Sequence, residues 1–431
     1  MHNQNLDLSI EEITKIEGTA SVDIKIREGI LTECHFGIVE MQRFFQEAVR
    51  GKSISSLPHL LARICGTCSN AHLLASIASI EHGLSLSVSP QTRLLRKLLN
   101  FGLMIRDHGL HLYVFVLPDL YNRESILAFD EANEEEHALV HDCFAVKEVG
   151  NKLSVLSGGR AVHAPLLAVG GFNEIPSKES LLALLPELEQ IRPRVLRLIE
   201  VFEKCSFTLN QDLKFLAVIN NDFSFLDGEV VSSDGVHIPQ DAFESHLNPT
   251  DIPYSQATGY LFDGHVHFVG ALSRINLNTD ALHANTKRDA QKALSRFPSH
   301  NIYHNNLAQA IEMLHSVDAS IDLIHQYQEI KETPTTITHI ESTGIGIIEA
   351  PRGTLFHKIE MSGDGKVKQS KVIVPTGQNQ IGIEVAIRDW VSKHTDLSKE
   401  ELELEIQKII RAYDPCMSCA THFLKLKISN L

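Results

Sequence analysis

The 431-residue sequence lacks any long apolar run and carries fewer basic than acidic residues. No stretch of about 18 uninterrupted apolar residues is present, so we expect no membrane-spanning helix. The first ten residues are polar and lack the apolar core of a signal peptide. The balance of 39 basic against 54 acidic residues gives a net charge of −15, which argues against binding to nucleic-acid phosphates.

Cysteine is also scarce. Seven cysteines are too few, and too odd a number, for a secreted disulfide scaffold. Three of them, Cys34, Cys143 and Cys205, stand in apolar or mixed surroundings and are expected to be buried free thiols. A cytoplasmic, globular protein of two or three lobes is therefore predicted.

The other four cysteines form two Cys-x-x-Cys pairs at opposite ends of the chain, and a histidine follows each pair. These residues are Cys65, Cys68 and His72 near the start, and Cys416, Cys419 and His422 near the end. Two such pairs suggest four thiolates that meet at one soft-metal centre. The spacing alone leaves structural zinc, an iron–sulfur cluster and a redox dithiol open, although zinc ribbons usually keep their two pairs close together.

The apolar periodicity predicts an α+β fold, with a central bundle of long helices and peripheral β hairpins and sheets. Residues 20–26 and 30–38 alternate as two strands of a hairpin, and Pro90 opens a long apolar helix that runs towards Pro118. Further helices are predicted at about 41–50, 71–84, 128–150, 178–204, 307–330 and 399–412, and β structure at 335–384.

We divide the chain into four segments of one integrated unit. They are an N-terminal hairpin and lead-in (1–60), a helical core with the first cysteine pair (61–205), a mixed satellite region (206–300), and a helix, β region and second cysteine pair (301–431).

Taken together, the motifs resemble those of the large, catalytic subunit of nickel–iron hydrogenases. The two cysteine signatures read Arg63-x-Cys65-Gly66-x-Cys68-x-x-x-His72 and Asp414-Pro415-Cys416-x-x-Cys419-x-x-His422. The likeness continues through 14–18 (TKIEG), 106–113 (RDHGLHLY), 349–353 (EAPRG) and 374–376 (VPT). These motifs span nearly the whole chain, and the short insertions resemble the cytoplasmic, cofactor-coupled branch of that family.

This resemblance implies an Ni–Fe(CN)2(CO) centre held by four thiolates. Cys65 and Cys416 are expected as terminal nickel ligands, while Cys68 and Cys419 also bridge to iron. Soft thiolate ligands suit both metals.

The resemblance also implies which side chains surround the metals. Arg352 and Thr376 match positions that donate hydrogen bonds to the cyanides, with Pro375 beside them. His72 is expected to donate towards a cysteine sulfur.

The implied activity is the reversible cleavage of dihydrogen into protons and electrons. Heterolysis needs a base beside the metals, which is either the Cys416 thiolate or the Arg352 guanidinium. Asp107 and Asp414 are expected to hold Arg352 by charge-assisted hydrogen bonds. Glu17 matches the carboxylate that relays the proton outward, a role that requires hydrogen-bond reach and partial desolvation.

One departure from the family concerns a magnesium site. The family carries Arg-Gly-x-Glu upstream of the first cysteine pair, and that carboxylate binds magnesium near the C-terminus. This chain has Gln46 there, in Arg43-Phe44-Phe45-Gln46, and a neutral carbonyl oxygen is a weaker ligand for a hard dication. His422 is the other side-chain candidate.

The resemblance implies several partners. Electrons need an iron–sulfur small subunit, because no further cysteine cluster exists in the sequence, and cofactor-reducing subunits are expected beyond it. Residues 423–431 follow His422. In many family members a maturation endopeptidase removes a tail at this position, so we expect an endopeptidase and a chaperone as transient partners.

Two other interpretations remain open at this point. A hydrogen sensor, or a subunit of an electron-transfer assembly, would share the fold, although the related subunit of respiratory complex I has lost the four cysteines. A structural zinc scaffold would need neither Arg352 nor Glu17.

Overall fold

A computed structural model describes residues 5–422 of the chain. The helices are α1 (Phe45–Ala48), α2 (Leu57–Leu61), α3 (Ser69–Gly83), α4 (Pro90–Gly109), α5 (Leu117–Leu120), α6 (Glu134–Gly158), α7 (Lys178–Leu182), α8 (Leu185–Glu203), α9 (Phe243–His246), α10 (Ala271–Asn278), α11 (Ala284–Asp289), α12 (Gln291–Leu294), α13 (His304–Gln326), α14 (Pro375–Val391), α15 (Lys399–Ala412) and α16 (Met417–Ala420). The strands are β1 (Leu6–Ile10), β2 (Ala20–Arg27), β3 (Ile30–Ile38), β4 (Leu167–Ala168), β5 (Gly171–Phe172), β6 (Lys214–Ile219), β7 (Glu229–Ser232), β8 (His237–Ile238), β9 (Leu247–Asp251), β10 (Thr258–Phe262), β11 (His267–Val269), β12 (Ser342–Ala350), β13 (Gly353–Met361) and β14 (Val367–Ile373).

Small sheets surround a helical centre. The orders β1-β2-β3 and β12-β13-β14 are antiparallel meanders, and the sheet β11-β6-β7-β8 contains one parallel pair, β11 with β6. Two further hairpins pair β9 with β10 and β4 with β5. The predicted α+β architecture is confirmed, whereas the division into four segments stays a prediction. Within residues 5–422, no helix combines the length and apolarity needed to cross a membrane.

Glycines bring the backbones of α4 and α6 into direct contact. A Cβ at Gly102 would lie 2.9 Å from the backbone nitrogen of Ser154, and one at Gly150 would lie 2.8 Å from that of Arg106. Because a Cβ at either glycine would collide with the other helix, only glycine permits this close crossing. The crossing places Asp107, one turn further along α4, deep in the interior.

The same device joins α3 to β12. A Cβ at Gly344 would lie 1.8 Å from the Ser79 carbonyl oxygen, and one at Gly346 would lie 2.4 Å from the Ala75 carbonyl oxygen. Helix α3 begins directly after Cys68, and β12 leads into the turn that carries Arg352. The contact therefore sets the position of that turn relative to the first cysteine pair.

Helix α15 delivers the second cysteine pair. A capping box starts the helix, in which the Ser398 hydroxyl accepts from the Glu401 N–H and the Glu401 carboxylate accepts from the Ser398 N–H. Asp414 then adopts a left-handed backbone with φ of 48°, and Pro415 cannot continue the helical ladder. The chain turns inward at this point, so Cys416 points into the core.

Four predicted elements are wrong in extent. The helix expected at 128–150 is α6, over residues 134–158, and the helix expected at 178–204 is divided into α7 and α8. The helix expected at 41–50 is only the four-residue α1. The β structure expected through 335–384 ends at β14, and residues 375–384 form the first half of α14. Gly377 suggested a loop in the sequence, but it lets α14 approach β10, where a Cβ would lie 3.0 Å from the Thr258 carbonyl oxygen.

Candidate metal centre

The two Cys-x-x-Cys pairs meet in the interior of the chain. The Sγ atoms of Cys65 and Cys416 are 3.3 Å apart, those of Cys68 and Cys419 are 3.1 Å apart, and all four lie within 4.8 Å of one another. Each residue is at most 4% exposed, and none forms a disulfide. Burial raises the pKa of the Cys416 and Cys419 thiols well above the ordinary value. Four thiolates in this space therefore need cations, and soft metals supply them.

Glu17 contacts the second cysteine pair through both its backbone and its side chain. Its carbonyl oxygen accepts from the Met417 N–H at 2.9 Å, which pairs the segment with Cys416 as a short parallel bridge. Its Oε2 accepts from the Cys416 thiol at 3.0 Å and from the Ser418 N–H at 3.1 Å. Burial raises the pKa of the half-buried Glu17 carboxyl, so the group can take up a proton more readily than a solvated glutamate.

Arg352 is held close to the cysteines by two carboxylates. Its Nη1 donates to Asp107 Oδ2 at 2.6 Å, and its Nη2 lies 3.1 Å from Asp414 Oδ1. Asp414 is itself oriented by Gln309, whose amide donates to Oδ2 at 2.8 Å. Burial lowers the pKa of Arg352, but the two aspartates outweigh that effect and raise the pKa well above the ordinary value.

A small cavity adjoins three of the four cysteines, omitting Cys65. It is lined by Cys68, His72, Ala350, Arg352, Leu355, Pro375, Thr376, Cys416 and Cys419. The Nε atom of Arg352 is buried without a protein acceptor, and Nη2, although in ion-pair contact with Asp414, directs no N–H squarely at a protein acceptor. Thr376 accepts from the Cys416 N–H at 2.9 Å, so its own hydroxyl proton is free to be donated. The cavity therefore fits a metal group whose small ligands accept hydrogen bonds.

His72 reaches the cysteines from α3. Its Nε2 lies 3.6 Å from the Cys419 sulfur, and its Nδ1 lies 3.1 Å from His357 Nε2. Burial lowers the pKa of His72 to about 3 and that of His357 well below the ordinary value, so both rings are neutral and one donates to the other. Sequence reasoning missed His357, because a single histidine in a strand carries no sign of its partner across the fold.

Gln46 and His422 converge on the backbone of Val372. Gln46 Oε1 accepts from the Val372 N–H at 3.3 Å, and His422 Nε2 lies 3.0 Å from the Val372 carbonyl oxygen. His422 Nδ1 lies 2.5 Å from the Cys419 carbonyl oxygen. Burial lowers the pKa of His422, and a neutral imidazole donates only from one nitrogen. In the tautomer in which Nδ1 donates to Cys419, Nε2 and the Val372 oxygen are two neighbouring lone-pair groups that can bind one cation.

The structure thus brings the sequence-predicted site residues within one buried region. Besides His357, sequence reasoning missed Gln309 and Arg106. Arg106 is buried and donates from Nη2 to the Thr67 carbonyl oxygen at 2.5 Å, between the first two cysteines. Gln309 stands in no motif that indicates metal chemistry. Arg106 opens the motif at 106–113, but its role is decided by a tertiary contact.

Comparison with known proteins agrees with this geometry. The family model of nickel-dependent hydrogenases matches residues 43–144 and 256–422, more than half of the chain. The alpha subunit of sulfhydrogenase 2 of Pyrococcus furiosus is 29% identical over 422 residues, covering 97% of this chain and 100% of that protein. The alpha subunit of sulfhydrogenase 1 of the same organism is 29% identical over 432 residues, covering 99% and 100%.

Solved structures share the fold. An NAD⁺-reducing NiFe hydrogenase in its dihydrogen-reduced state has a TM-score of 0.85 at 24% identity, covering 97% of this chain and 99% of that one. The Ni-Fe-Se hydrogenase of D. vulgaris Hildenborough in the reduced state has a TM-score of 0.78 at 21% identity, covering 97% and 100%.

Proposed function

This chain belongs to the nickel-dependent hydrogenase family, and we propose that its four buried cysteines hold a nickel–iron centre at which dihydrogen is reversibly split. It is the catalytic large subunit of such an enzyme. The observation that carries the proposal is the four-thiol cluster, with Glu17 bound to Cys416 and Arg352 lining the adjoining cavity.

The cysteines have two roles in this proposal. Cys65 and Cys416 are terminal ligands of nickel, while Cys68 and Cys419 also bridge to an iron that carries carbon monoxide and two cyanides. Both proposed bridging cysteines, Cys68 and Cys419, line the cavity, as does Cys416. When bound, the metals supply the open coordination position and the electron acceptor for heterolysis.

We assign Cys416 as the first acceptor of the proton released from dihydrogen, and Glu17 as the next. The Cys416 thiol already donates to the Glu17 carboxylate, and Glu17 is half-buried, so its carboxylate connects the interior with the surface. Arg352 is the less suitable base, because its two aspartates stabilise the protonated guanidinium. Asp107 and Asp414 instead hold Arg352 so that its free donors point towards the iron ligands, together with the Thr376 hydroxyl beside Pro375 and with His72 near the Cys419 sulfur.

A magnesium or similar divalent cation is assigned to the site beside His422 Nε2 and the Val372 carbonyl oxygen. These two atoms are 3.0 Å apart, which supports their binding one cation as neighbouring ligands. Gln46 supplies a neutral oxygen nearby, which we expect to weaken binding relative to a glutamate.

Electrons leave through a partner. Among residues 5–422 the other three cysteines join no second metal-binding group, so an iron–sulfur small subunit accepts the electrons, with cofactor-reducing subunits beyond it. The names of the Pyrococcus relatives, alpha subunits, support a heteromeric enzyme. Removal of the tail at 423–431 lies outside the described residues and, like the cytoplasmic location, stays a prediction.

The proposal is tested on anaerobically purified protein with its co-purifying partner, by metal analysis and infrared spectroscopy. We expect nickel and iron in equal amounts, carbonyl and cyanide stretching bands, and dihydrogen oxidation with an artificial electron acceptor. Zinc alone, without such bands in protein from nickel-replete cells, would contradict the proposal. A hydrogen sensor would show the bands with little turnover.

A further inference from the structure

We propose that Arg274 is a positioning residue for Arg352. It holds the turn that carries Arg352 against the helix that carries Asp107. The inference rests on the function proposed above. Arg274 lies on α10, outside every motif that the sequence indicated, and is only 2% exposed.

Two buried glutamates bind the Arg274 guanidinium. Its Nε and Nη2 donate to Glu312 Oε1 and Oε2 at 2.6 and 2.7 Å, and its Nη1 donates to Glu349 Oε2 at 2.7 Å. Both glutamates are completely buried. Such paired, charge-assisted contacts fix the plane of the guanidinium as well as its position.

The remaining two N–H groups bind the backbone directly before Arg352. Nη1 donates to the Ala350 carbonyl oxygen at 3.1 Å, and Nη2 donates to the Pro351 carbonyl oxygen at 3.0 Å. A guanidinium has five N–H donors, so every donor of Arg274 has an acceptor. Two of these five acceptors belong to the turn at Arg352, which leaves the turn little freedom to move.

The same cluster reaches the carboxylate that pairs with Arg352. Glu312 Oε2 also lies 2.9 Å from His108 Nε2, and His108 follows Asp107 on α4. Glu349 Oε1 accepts from the Val218 N–H and the Thr354 hydroxyl, which holds the strands on both sides of the turn. Arg274 thereby connects the backbone at Arg352 and the helix at Asp107 through one rigid group.

Lysine cannot replace this group. An ammonium has three donors and no fixed plane, so Arg274→Lys removes at least two of the five hydrogen bonds that residue 274 donates. The turn at Ala350 and Pro351 is then free to shift, and the free donors of Arg352 shift with it.

The test compares Arg274→Lys with Arg96→Lys in the metal-loaded complex. Arg96 is a matched control, because it is 8% exposed and forms a bidentate pair with Glu81 at 2.6 and 2.7 Å on the same helix as Asp107. Eleven residues separate Arg96 from Asp107, roughly 16 Å along α4. Both variants lose a buried bidentate contact, but only one of them acts on Arg352.

For Arg274→Lys we expect bound nickel and iron, and shifted or broadened cyanide bands. We also expect kcat to fall by roughly 10- to 100-fold, because displacing a group at the site by about 1 Å can lower the rate to that extent. Arg96→Lys is expected to keep the wild-type bands and turnover. Wild-type cyanide bands in metal-loaded Arg274→Lys would overturn the inference, whereas absence of bands in the wild type would overturn the proposed function instead.

A second variant covers the case in which Arg274→Lys does not accumulate metal. Glu349→Gln keeps the shape of the side chain but weakens its bond to Arg274, and we expect a smaller shift of the same cyanide bands. Unshifted bands in metal-loaded Glu349→Gln would then overturn the inference.

Discussion

Glu17 depends on its surroundings for any chemical role. A glutamate after a strand-like segment is usually solvated, but here the Cys416 thiol and the Ser418 N–H bind the carboxylate. The backbone bridge to the second cysteine pair fixes its position, and burial raises its pKa. These contacts give Glu17 both the reach and the proton affinity that a relay requires.

Glu17→Gln tests this relay. The amide keeps the size and the polar contacts but cannot take up a proton, so we expect dihydrogen oxidation to fall roughly 10²- to 10⁴-fold. Nickel, iron and the cyanide bands should remain. The control Glu47→Gln changes an exposed glutamate near α1 and should leave activity unchanged. Full activity in Glu17→Gln would show that the proton leaves by another route.

His315 makes stability depend on pH. It is 2% exposed, Nδ1 accepts from the His283 N–H at 3.0 Å, and Nε2 donates to the Phe223 carbonyl oxygen at 3.1 Å. Burial lowers the pKa of His315 to about 4, below its ordinary value of 6.5. The unfolded chain therefore binds a proton that the folded chain refuses, and the stabilisation present above pH 6.5 is lost as pH falls towards 4.

We expect this group to remove up to roughly 3 kcal/mol of unfolding free energy across that window. Thermal unfolding at a series of pH values measures it. His315→Gln keeps one donor and one acceptor without titrating, so its stability should depend less steeply on pH. Equal slopes for the variant and the wild type would assign the pH dependence to other groups.

At the scale of elements, the site depends on how closely helices approach strands. Helix α3 carries His72 and follows Cys68, while β12 leads to Arg352, and glycines allow their backbones to touch. This contact fixes the position of the Arg352 turn relative to Cys68 and His72, although it involves no hydrogen bond to a site residue.

Gly346→Ala tests that contact. The new Cβ would lie 2.4 Å from the Ala75 carbonyl oxygen, so α3 and β12 must separate. We expect a loss of unfolding free energy of about 1 to 3 kcal/mol from overpacking, together with reduced nickel content. Gly363→Ala, in the hairpin between β13 and β14, is the control, because the atom nearest to its new Cβ would be 4.0 Å away. Similar losses in both variants would contradict the role of the contact.

At the scale of the whole molecule, the metal centre joins the two ends of the chain. Cys65 and Cys416 are 351 positions apart, yet their sulfur atoms are 3.3 Å apart. Metals that bind only the folded chain stabilise it by mass action, and this stabilisation grows with the excess of metal over the dissociation constant. The segment that carries the second cysteine pair is therefore expected to depend strongly on metal.

Protein from nickel-depleted and nickel-replete cells tests this dependence. We expect the metal-loaded protein to unfold at a temperature at least several degrees higher, consistent with about 4 kcal/mol for a thousandfold excess over the dissociation constant. Cys416→Ser should unfold like metal-free protein under both conditions, whereas Cys143→Ser, a buried thiol outside the centre, should still respond to nickel. An identical unfolding temperature in both preparations would contradict the expectation.

Much of the site could be predicted because its residues stand in short sequence motifs. Cysteine spacing predicted the four thiols that meet in the structure, and the motifs around Glu17, Asp107 and Arg352 predicted their neighbours. His357, Gln309 and Arg274 could not be found, because each acts through contacts with residues distant in the chain. The start of α14 was misjudged for a related reason, since a glycine in a helix and a glycine in a loop look alike until the neighbouring strand is known.

The sequence by itself determined the ligand types, their pairing at both ends of the chain and the alternation of helical and β segments. These are local properties, set by side-chain chemistry and by periodicity over a few residues. Only the tertiary structure decided that Glu17 contacts Cys416, that Arg352 lies between Asp107 and Asp414, and that Arg274 holds the turn before Arg352. Those contacts depend on close packing between backbones and on burial of charge, which arise only when distant segments are brought together.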